Sequence, residues 1–167
     1  MKKGILLILI VFATTIVAAQ VKTVFNANLS FNIPAGWYLK DSALKKVSLR
    51  KTGDEYSNIE IKISNHADKD LMKYIGFDKK KFSPDPHTRT ILPDAKLGNR
   101  MYKKVKYITQ NKILKVDTEL EYVNLFKLKN AIPGITNARI EIVITYSQLQ
   151  EAAMIKTADA LVASMVY

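Results

Sequence analysis

The sequence KILKVDTELEYVNLFKLK, residues 112–129, decides the fold. Its even-numbered positions are mostly apolar: Leu114, Val116, Thr118, Leu120, Tyr122, Asn124, Phe126 and Leu128. Its odd-numbered positions are mostly charged: Lys115, Asp117, Glu119, Glu121 and Lys127. Because side chains of a strand point alternately to its two faces, this period of two predicts one long β-strand with a single buried face. We expect the other elements to pack around it.

Segments with the same alternation lie on both sides of this strand. They are residues 21–33, with a bend near 26–28, and residues 47–51, 58–64, 100–109 and 138–146. Turn residues separate them at 34–36, 52–55, 98–99 and 133–134. Short connections of this kind join antiparallel neighbours, so the pattern predicts an antiparallel meander. We expect Trp37, directly after the first of these turns, to pack into one end of the core.

Two helices are predicted. A short helix begins at Asp68, whose side chain can cap the free N–H groups of a first turn, and ends at Gly76. A longer helix starts at the capping-box residues Ser147 and Gln150 and runs for about 30 Å across one face of the sheet. The predicted fold class is α+β, an antiparallel β-sheet meander flanked by helices, in a single domain over residues 20–167.

Residues 1–19 have the pattern of a secretory signal peptide. Lys2 and Lys3 precede an apolar run over residues 5–13, and the small residues 17–19 provide a cleavage site after Ala19. A retained transmembrane anchor is the alternative, but the apolar run is short and two threonines follow it. We therefore expect cleavage and a periplasmic or secreted protein.

The chain is strongly basic and has no cysteine. Its formal net charge is +11 at pH 7, and the predicted leader contributes only two of its 26 basic residues. A positive protein attracts anionic partners, but export argues against intracellular nucleic acid. Without cysteine the exported chain has no disulfide and no lipid-attachment residue, so we expect it to depend on its core for stability.

Basic and aromatic residues occur together in two places. The irregular segment 77–94 contains a lysine run between two phenylalanines: Phe77, Lys79, Lys80, Lys81 and Phe82. The segment 100–109 carries a second cluster that includes Lys103 and Lys104. Lysines interleaved with aromatic rings can bind polyanions through charge and stacking. These residues are the predicted partner-binding sites, although an ordinary solvated lysine surface is the alternative interpretation.

Two parts of the sequence together resemble the PsbP-like superfamily, which includes exported bacterial proteins of the DcrB type. The first is the FNIPAGW sequence at residues 31–37, which is similar to the aromatic-x-hydrophobic-Pro-x-Gly-Trp opening of that family. The second is the strand from Ile140 to Tyr146 with the closing helix and its tail, Ser164 to Val166. The resemblance implies an α/β/α sandwich, a binding or accessory role and no shared catalytic residues. The basic, proline-containing loop departs from the family pattern.

Catalytic motifs are not visible. The two histidines, His66 and His87, have no cysteine to pair with, and no serine lies in a Gly-x-Ser-x-Gly turn. We therefore expect no enzyme activity and no cofactor. A hydrolase with a site assembled from distant residues around His66 or His87 is retained as an alternative.

Two acidic groups were considered as metal or acid–base sites. His66, Asp68 and Asp70 have a metal-like composition, but a helix cap and a first-turn charge explain the aspartates without a metal. One predicted strand face carries three carboxylates, Asp117, Glu119 and Glu121. Ion pairs with Arg139 and neighbouring lysines explain their presence without an acid–base or metal-binding role. We predict no metal site.

Two functions of different classes follow. The first is an exported, non-enzymatic binding or accessory protein that meets an envelope protein through the 77–94 loop, together with the hairpin tip 132–135. The second is an electrostatic binder of anionic envelope lipids or glycans, whose affinity would fall steeply with salt.

Overall fold

The computed structural model describes residues 22–25, 28–65, 88–109 and 117–167. The strands are β1 (Lys22–Phe25), β2 (Leu29–Asn32), β3 (Trp37–Ala43), β4 (Lys46–Lys51), β5 (Asp54–Asn65), β6 (Thr88–Leu97), β7 (Arg100–Thr109), β8 (Asp117–Phe126) and β9 (Ala138–Ser147). A 3-10 turn at Gln148–Gln150 leads into helix α1 (Glu151–Ala163). The predicted short helix from Asp68 to Gly76 lies outside the described residues.

The seven strands β3 to β9 form one antiparallel sheet in the order β3-β4-β5-β9-β8-β7-β6. Two meanders, β3 to β5 and β6 to β9, therefore meet where β5 pairs with β9. The predicted antiparallel α+β architecture is confirmed. The expectation that residues 112–129 form the centre is wrong, because β9 holds the middle position and β8 lies beside it. The centre requires apolar residues with neighbours on both sides, and the isoleucine-rich β9 supplies them.

The main core lies between the sheet and α1. Ile61 of β5, Ile142 of β9 and Tyr122 of β8 occupy adjacent register positions and are all fully buried. On the helix, the buried residues are Met154, Ala158, Leu161 and Val162. Their spacing of three or four residues places them on one side of α1, which packs against the sheet.

Helix α1 is shorter than expected and begins differently. It has 13 residues, which is about 20 Å at the usual rise of an α-helix. The predicted capping box is wrong: Gln150 is the N-cap residue, but its side chain makes no capping hydrogen bond. Instead its Oε1 accepts a hydrogen bond of 2.7 Å from the Lys51 ammonium, which joins the start of the helix to the β4–β5 end of the sheet.

The chain after α1 returns to β2. The Ser164 hydroxyl donates to the Leu161 carbonyl at 2.7 Å and accepts from the Asn32 amide at 2.9 Å. Val166 then forms an antiparallel bridge with Ser30. A helix running to the last residues would lose these contacts, which explains why α1 ends at Ala163.

The N-terminal segment is a hairpin rather than the predicted single bent strand. Strands β1 and β2 pair with each other in a separate two-stranded antiparallel sheet. Asn28, just before β2, is buried, and its Oδ1 accepts hydrogen bonds from the amides of Lys129 (2.9 Å) and Asn130 (2.8 Å). Its Nδ2 donates to the Asn130 carbonyl at 3.0 Å. One side chain thus attaches the hairpin to the segment that follows β8.

Two predicted turns are confirmed. Gly36 has a φ of +77°, the Trp37 amide donates to the Pro34 carbonyl at 3.1 Å, and the Trp37 ring enters the core as expected. Gly134 has a φ of +74°, and the Ile135 amide donates to the Ile132 carbonyl at 3.0 Å. Ile132 and Ile135 are both buried, so their side chains belong to the core, and a partner contact at this hairpin tip stays a prediction.

The face of the sheet opposite α1 is charged but not fully exposed. Glu60 pairs with Lys46 at 2.8 Å and with Lys62 at 2.9 Å. Burial opposes the ionisation of Glu60, but these two lysines hold its pKa below the ordinary value. Glu121, which the alternation placed on the charged face of the predicted strand, is only 3% exposed. A second buried cluster, Val105, Tyr107 and Val123, lies on this face, so both faces of the β7–β8 region contain buried residues.

Candidate ligand-binding groove

Most of the predicted site residues lie outside the part of the chain that the structure describes. These are Phe77, Lys79, Lys80, Lys81 and Phe82, and the weak metal candidates His66, Asp68 and Asp70. Among the described residues, no group of three or more acidic, histidine or cysteine side chains is arranged to hold a metal ion. No helix within the described ranges is long and apolar enough to cross a bilayer.

Lys103 and Lys104 point to opposite faces of the sheet. The Lys103 Nζ lies 2.6 Å from an Asp94 oxygen on the face away from α1. The Lys104 Nζ lies 3.3 Å from Asp159 of α1 on the other face. The two lysines therefore do not share one surface, and their role in binding a partner stays a prediction.

The exposed strand β3 forms one edge of the sheet, at the end opposite to β6. Strand β3 pairs only with β4, and every residue after Trp37 is exposed. Its large apolar side chains include Tyr38, which is 51% exposed, and Leu39. Tyr56, near the start of β5, is 60% exposed. Aromatic rings left in water at one end of a sheet are a candidate contact surface.

A groove of about 540 Å³ lies on this exposed end, and we call it the Tyr38 groove. Its lining residues are Tyr38, Lys40, Arg50, Lys51, Gly53, Asp54 and Glu55. Tyr38 and Arg50 are cross-strand partners on β3 and β4, so the sheet itself sets their separation. A second hollow of about 550 Å³ shares the β4–β5 turn with the groove and extends to Tyr56 and Gln150.

The β4–β5 turn is held by Asp54. One carboxylate oxygen accepts hydrogen bonds from the amides of Tyr56 and Ser57, each at 3.1 Å, and the other accepts from the Ser57 hydroxyl at 2.7 Å. Gly53 precedes it with a φ of +72°, a conformation that glycine adopts without strain. Burial alone would raise the pKa of Asp54, but the hydrogen bonds from Ser57 and Tyr56 outweigh burial and lower the pKa to about 2. Asp54 is a structural anion.

The groove lining contains three cationic side chains, and one of them, Lys51, forms an ion pair. The Lys51 Nζ lies 2.7 Å from Gln150 Oε1 and 3.6 Å from Asp54 Oδ2. Arg50 donates one hydrogen bond, of 2.7 Å, to the Glu55 carbonyl. Within the described residues, neither Arg50 nor Lys40 forms an ion pair. Their charges are therefore available to a ligand.

The cations of this groove are suited to binding an anion. The lining contains no histidine, serine or cysteine, so it offers none of the usual nucleophile–base pairs. Arginine presents a planar fork of donors that matches a carboxylate or phosphate group, and lysine adds a point charge. Sequence analysis missed the groove because Tyr38, Lys40 and Arg50 are single residues on two strands. The one local signal was a Tyr-x-Lys alternation directly after the core tryptophan.

The ionisation of Asp54 gives an expected pH dependence. Because its folded pKa is lower than its ordinary value of 3.8, the carboxylate stabilises the fold above about pH 4 and loses this contribution as the pH falls to about 2. Asp54→Asn should be less stable than wild type in urea unfolding at pH 7, and the difference should shrink at pH 2.5. Asp41→Asn, an exposed change on β3, should show no such convergence. A constant Asp54→Asn deficit at both pH values would contradict this role.

Comparisons with known proteins give similarity in structure only. No protein-family model matches the chain, and neither does any curated protein sequence. Among solved structures, cyanobacterial PsbP from Synechocystis is similar with a TM-score of 0.60 at 16% identity, over 92% of this chain and 96% of that one. LpqN of Mycobacterium tuberculosis, whose structure is described as involved in cell envelope biogenesis, is similar with a TM-score of 0.58 at 12% identity, over 89% and 84%.

A protein from Bacteroides thetaiotaomicron is also similar, with a TM-score of 0.55 at 15% identity over 86% of this chain. This chain spans slightly less than half, 46%, of that longer protein. Identities this low show a common fold and nothing about a shared ligand. At that level they confirm the resemblance inferred from the opening motif and the closing strand and helix.

Proposed function

We propose, with the PsbP-like fold of this chain as the premise, that the protein is an exported, non-enzymatic binding or accessory protein of the bacterial cell envelope. The observation that carries the proposal is the Tyr38 groove, where an exposed aromatic ring lies beside two cations that form no ion pair with any described residue. The predicted signal peptide and the envelope role stated for LpqN support the location.

The position of the groove supports binding as its purpose. An unpaired cation and a half-exposed tyrosine contribute little to folding, because water solvates both in the absence of a partner. The backbone beneath them is held by strand pairing, since Tyr38 pairs with Arg50 and Arg50 pairs with Asn58. A rigid support with accessible side chains is what a preorganised binding surface requires.

The alternative function is an electrostatic binder of anionic envelope lipids or glycans. The free charges of Lys40 and Arg50 and the basic balance of the whole chain favour it. In this alternative, the lysine run Lys79 to Lys81 is a second predicted contact with the anionic lipid or glycan. This alternative requires that binding weakens steeply as salt screens the charges.

The proposal can be tested by affinity capture from a native envelope extract at low and moderately high salt. We expect the tagged mature chain to retain an envelope component, and a Tyr38→Ser, Tyr56→Ser double variant to lose it. Met101→Ser, which removes an exposed side chain outside the groove, is the matched control and should retain it. A variant with Lys79, Lys80 and Lys81 changed to Glu measures the contribution of the loop.

The outcomes separate the two functions. A discrete protein that survives salt and is lost in the double variant supports the accessory role. Lipid or glycan that is released by salt favours the electrostatic alternative. If the wild type retains nothing, or the double variant retains as much as the Met101→Ser control, the groove is not the binding surface and the proposal fails.

A further inference from the structure

We propose that the Tyr38 groove binds a carboxylate-bearing sugar unit of an acidic glycan. This inference rests on the alternative function proposed above, the electrostatic binding of anionic envelope material, and names the ligand class of the same surface. The carboxylate contacts Arg50 and Lys40, and the sugar ring lies against the face of Tyr38.

The charge of the groove selects an anion. Asp54 is neutralised by Lys51 and by three hydrogen bonds within its own turn, so neither partner of that pair is available to a ligand. The remaining charged groups are Lys40, Arg50 and the Glu55 carboxylate, and no ion pair joins them. Their sum is positive, so the groove attracts an anion of low charge density more strongly than a neutral or cationic molecule.

Arg50 is prepared for a carboxylate. Its single hydrogen bond to the Glu55 carbonyl orients the guanidinium and leaves most of its five donors unused. A planar carboxylate can accept two parallel hydrogen bonds from such a group. Lys40 is the extra residue at the β3 bulge between Leu39 and Asp41, and bulges redirect side chains at strand edges. The groove lining includes both cations.

The lining favours a sugar over an apolar peptide. It contains one aromatic ring and no aliphatic side chain, whereas the core of a protein–protein contact is rich in apolar residues. A tyrosine combines an apolar ring face with a polar hydroxyl, which suits a pyranose that has C–H groups on its faces and hydroxyls at its edges. The volume of about 540 Å³ falls in the range of small-ligand sites. The neighbouring hollow with Tyr56 provides room for the next unit of a chain.

The test is a calorimetric titration of the mature chain with tetragalacturonic acid, and with its methyl ester as the neutral match. We expect the acid to bind, the ester to bind at least about tenfold more weakly, and affinity for the acid to fall as salt is raised. Arg50→Gln should weaken binding of the acid about tenfold or more, because a hydrogen-bonded charge is lost. Tyr38→Ser should weaken it as well.

Two further variants make the test specific. Glu55→Gln removes the carboxylate of the lining that forms no ion pair with a described residue, and it should strengthen binding of the acid about two- to threefold. Lys96→Gln removes one exposed positive charge from the opposite edge strand and should leave the affinity unchanged. Far-UV circular dichroism should be unaltered in all variants, since Tyr38, Glu55 and Lys96 are exposed and Arg50 is only partly buried.

Several results would overturn the inference. These are no binding of the acid, equal binding of acid and ester, or an Arg50→Gln affinity equal to that of Lys96→Gln. Groove-dependent binding to phosphatidylglycerol vesicles without binding of the acid would assign the site to a lipid phosphate instead. Groove-dependent capture of an envelope protein, with no titration by the acid, would leave the proposed function standing and remove only this inference.

Discussion

Ile142→Ala is expected to lower the free energy of unfolding by about 2–5 kcal/mol, the usual cost of removing a large aliphatic side chain from a core. Ile142 is fully buried on β9, the middle strand of the sheet, between Ile61 and Tyr122. Sheet neighbours on both sides and α1 above restrict how far the cavity can collapse. Urea unfolding followed by circular dichroism measures the change.

The matched control is Ile91→Ala on the edge strand β6. Ile91 is exposed, so its truncation should cost less than about 1 kcal/mol. If Ile142→Ala cost no more than Ile91→Ala, β9 would not be the centre of the core, and the strand order would be in doubt.

Asn28→Ala is expected to destabilise the protein by about 2–4 kcal/mol, because it removes a buried side-chain amide whose oxygen accepts hydrogen bonds from the Lys129 and Asn130 amides and whose nitrogen donates to the Asn130 carbonyl. Asn28→Asp keeps that acceptor but replaces the donor by a buried carboxylate oxygen facing the Asn130 carbonyl, so it should be destabilising as well. The measurement is the midpoint of urea unfolding, compared among variants whose unfolding free energy has the same dependence on urea concentration.

Asn65 is the matched control, because its side-chain oxygen also accepts hydrogen bonds from two backbone amides but is exposed to water. Its Oδ1 accepts from the amides of Thr136 and Asn137, both at 3.0 Å, but the residue is exposed. Water can replace these bonds, so Asn65→Ala should cost less than about 1 kcal/mol. Equal losses at Asn28 and Asn65 would show that burial does not set the cost of the missing acceptor.

Sequence analysis worked best where turn residues mark both ends of a strand. Strand β7 has the predicted limits, Arg100 to Thr109, because Gly98 and Asn99 form the two-residue turn that joins it to β6. The core position of Trp37 followed from the rigid turn before it. Local backbone preference decides such features, and it can be read from a few adjacent residues.

Features that depend on distant residues were not predictable in this way. The strong alternation of residues 112–129 marked a buried face, but strand order depends on pairing between β5 and β9, which are far apart in the chain. Glu121 was placed on a charged strand face and explained by cross-strand ion pairs, but it is buried, with Val105 of the second buried cluster as its cross-strand partner on β7. Gln150 fitted a capping box locally, but its contact with Lys51 prevailed.

The groove illustrates the same limit for function. The predicted binding residues were clustered lysines. In the Tyr38 groove, the cations without an ion pair to a described residue are instead two isolated residues on neighbouring strands, Lys40 and Arg50. Arg50 is identified as a groove residue only by its register with Tyr38. Lys51 is excluded as a ligand-binding cation only by its contacts with Asp54 and Gln150. Neither relation is visible in a run of adjacent residues.

The most direct test of the central claim, that the Tyr38 groove is the functional surface, is photo-crosslinking in cells that naturally produce the protein. Benzoylphenylalanine replaces Tyr38 in one strain and the exposed Met101, outside the groove, in another. We predict a light-dependent product of higher mass, containing an envelope component, at position 38 and none at position 101. No product at position 38, or the same product at both positions, would contradict the account.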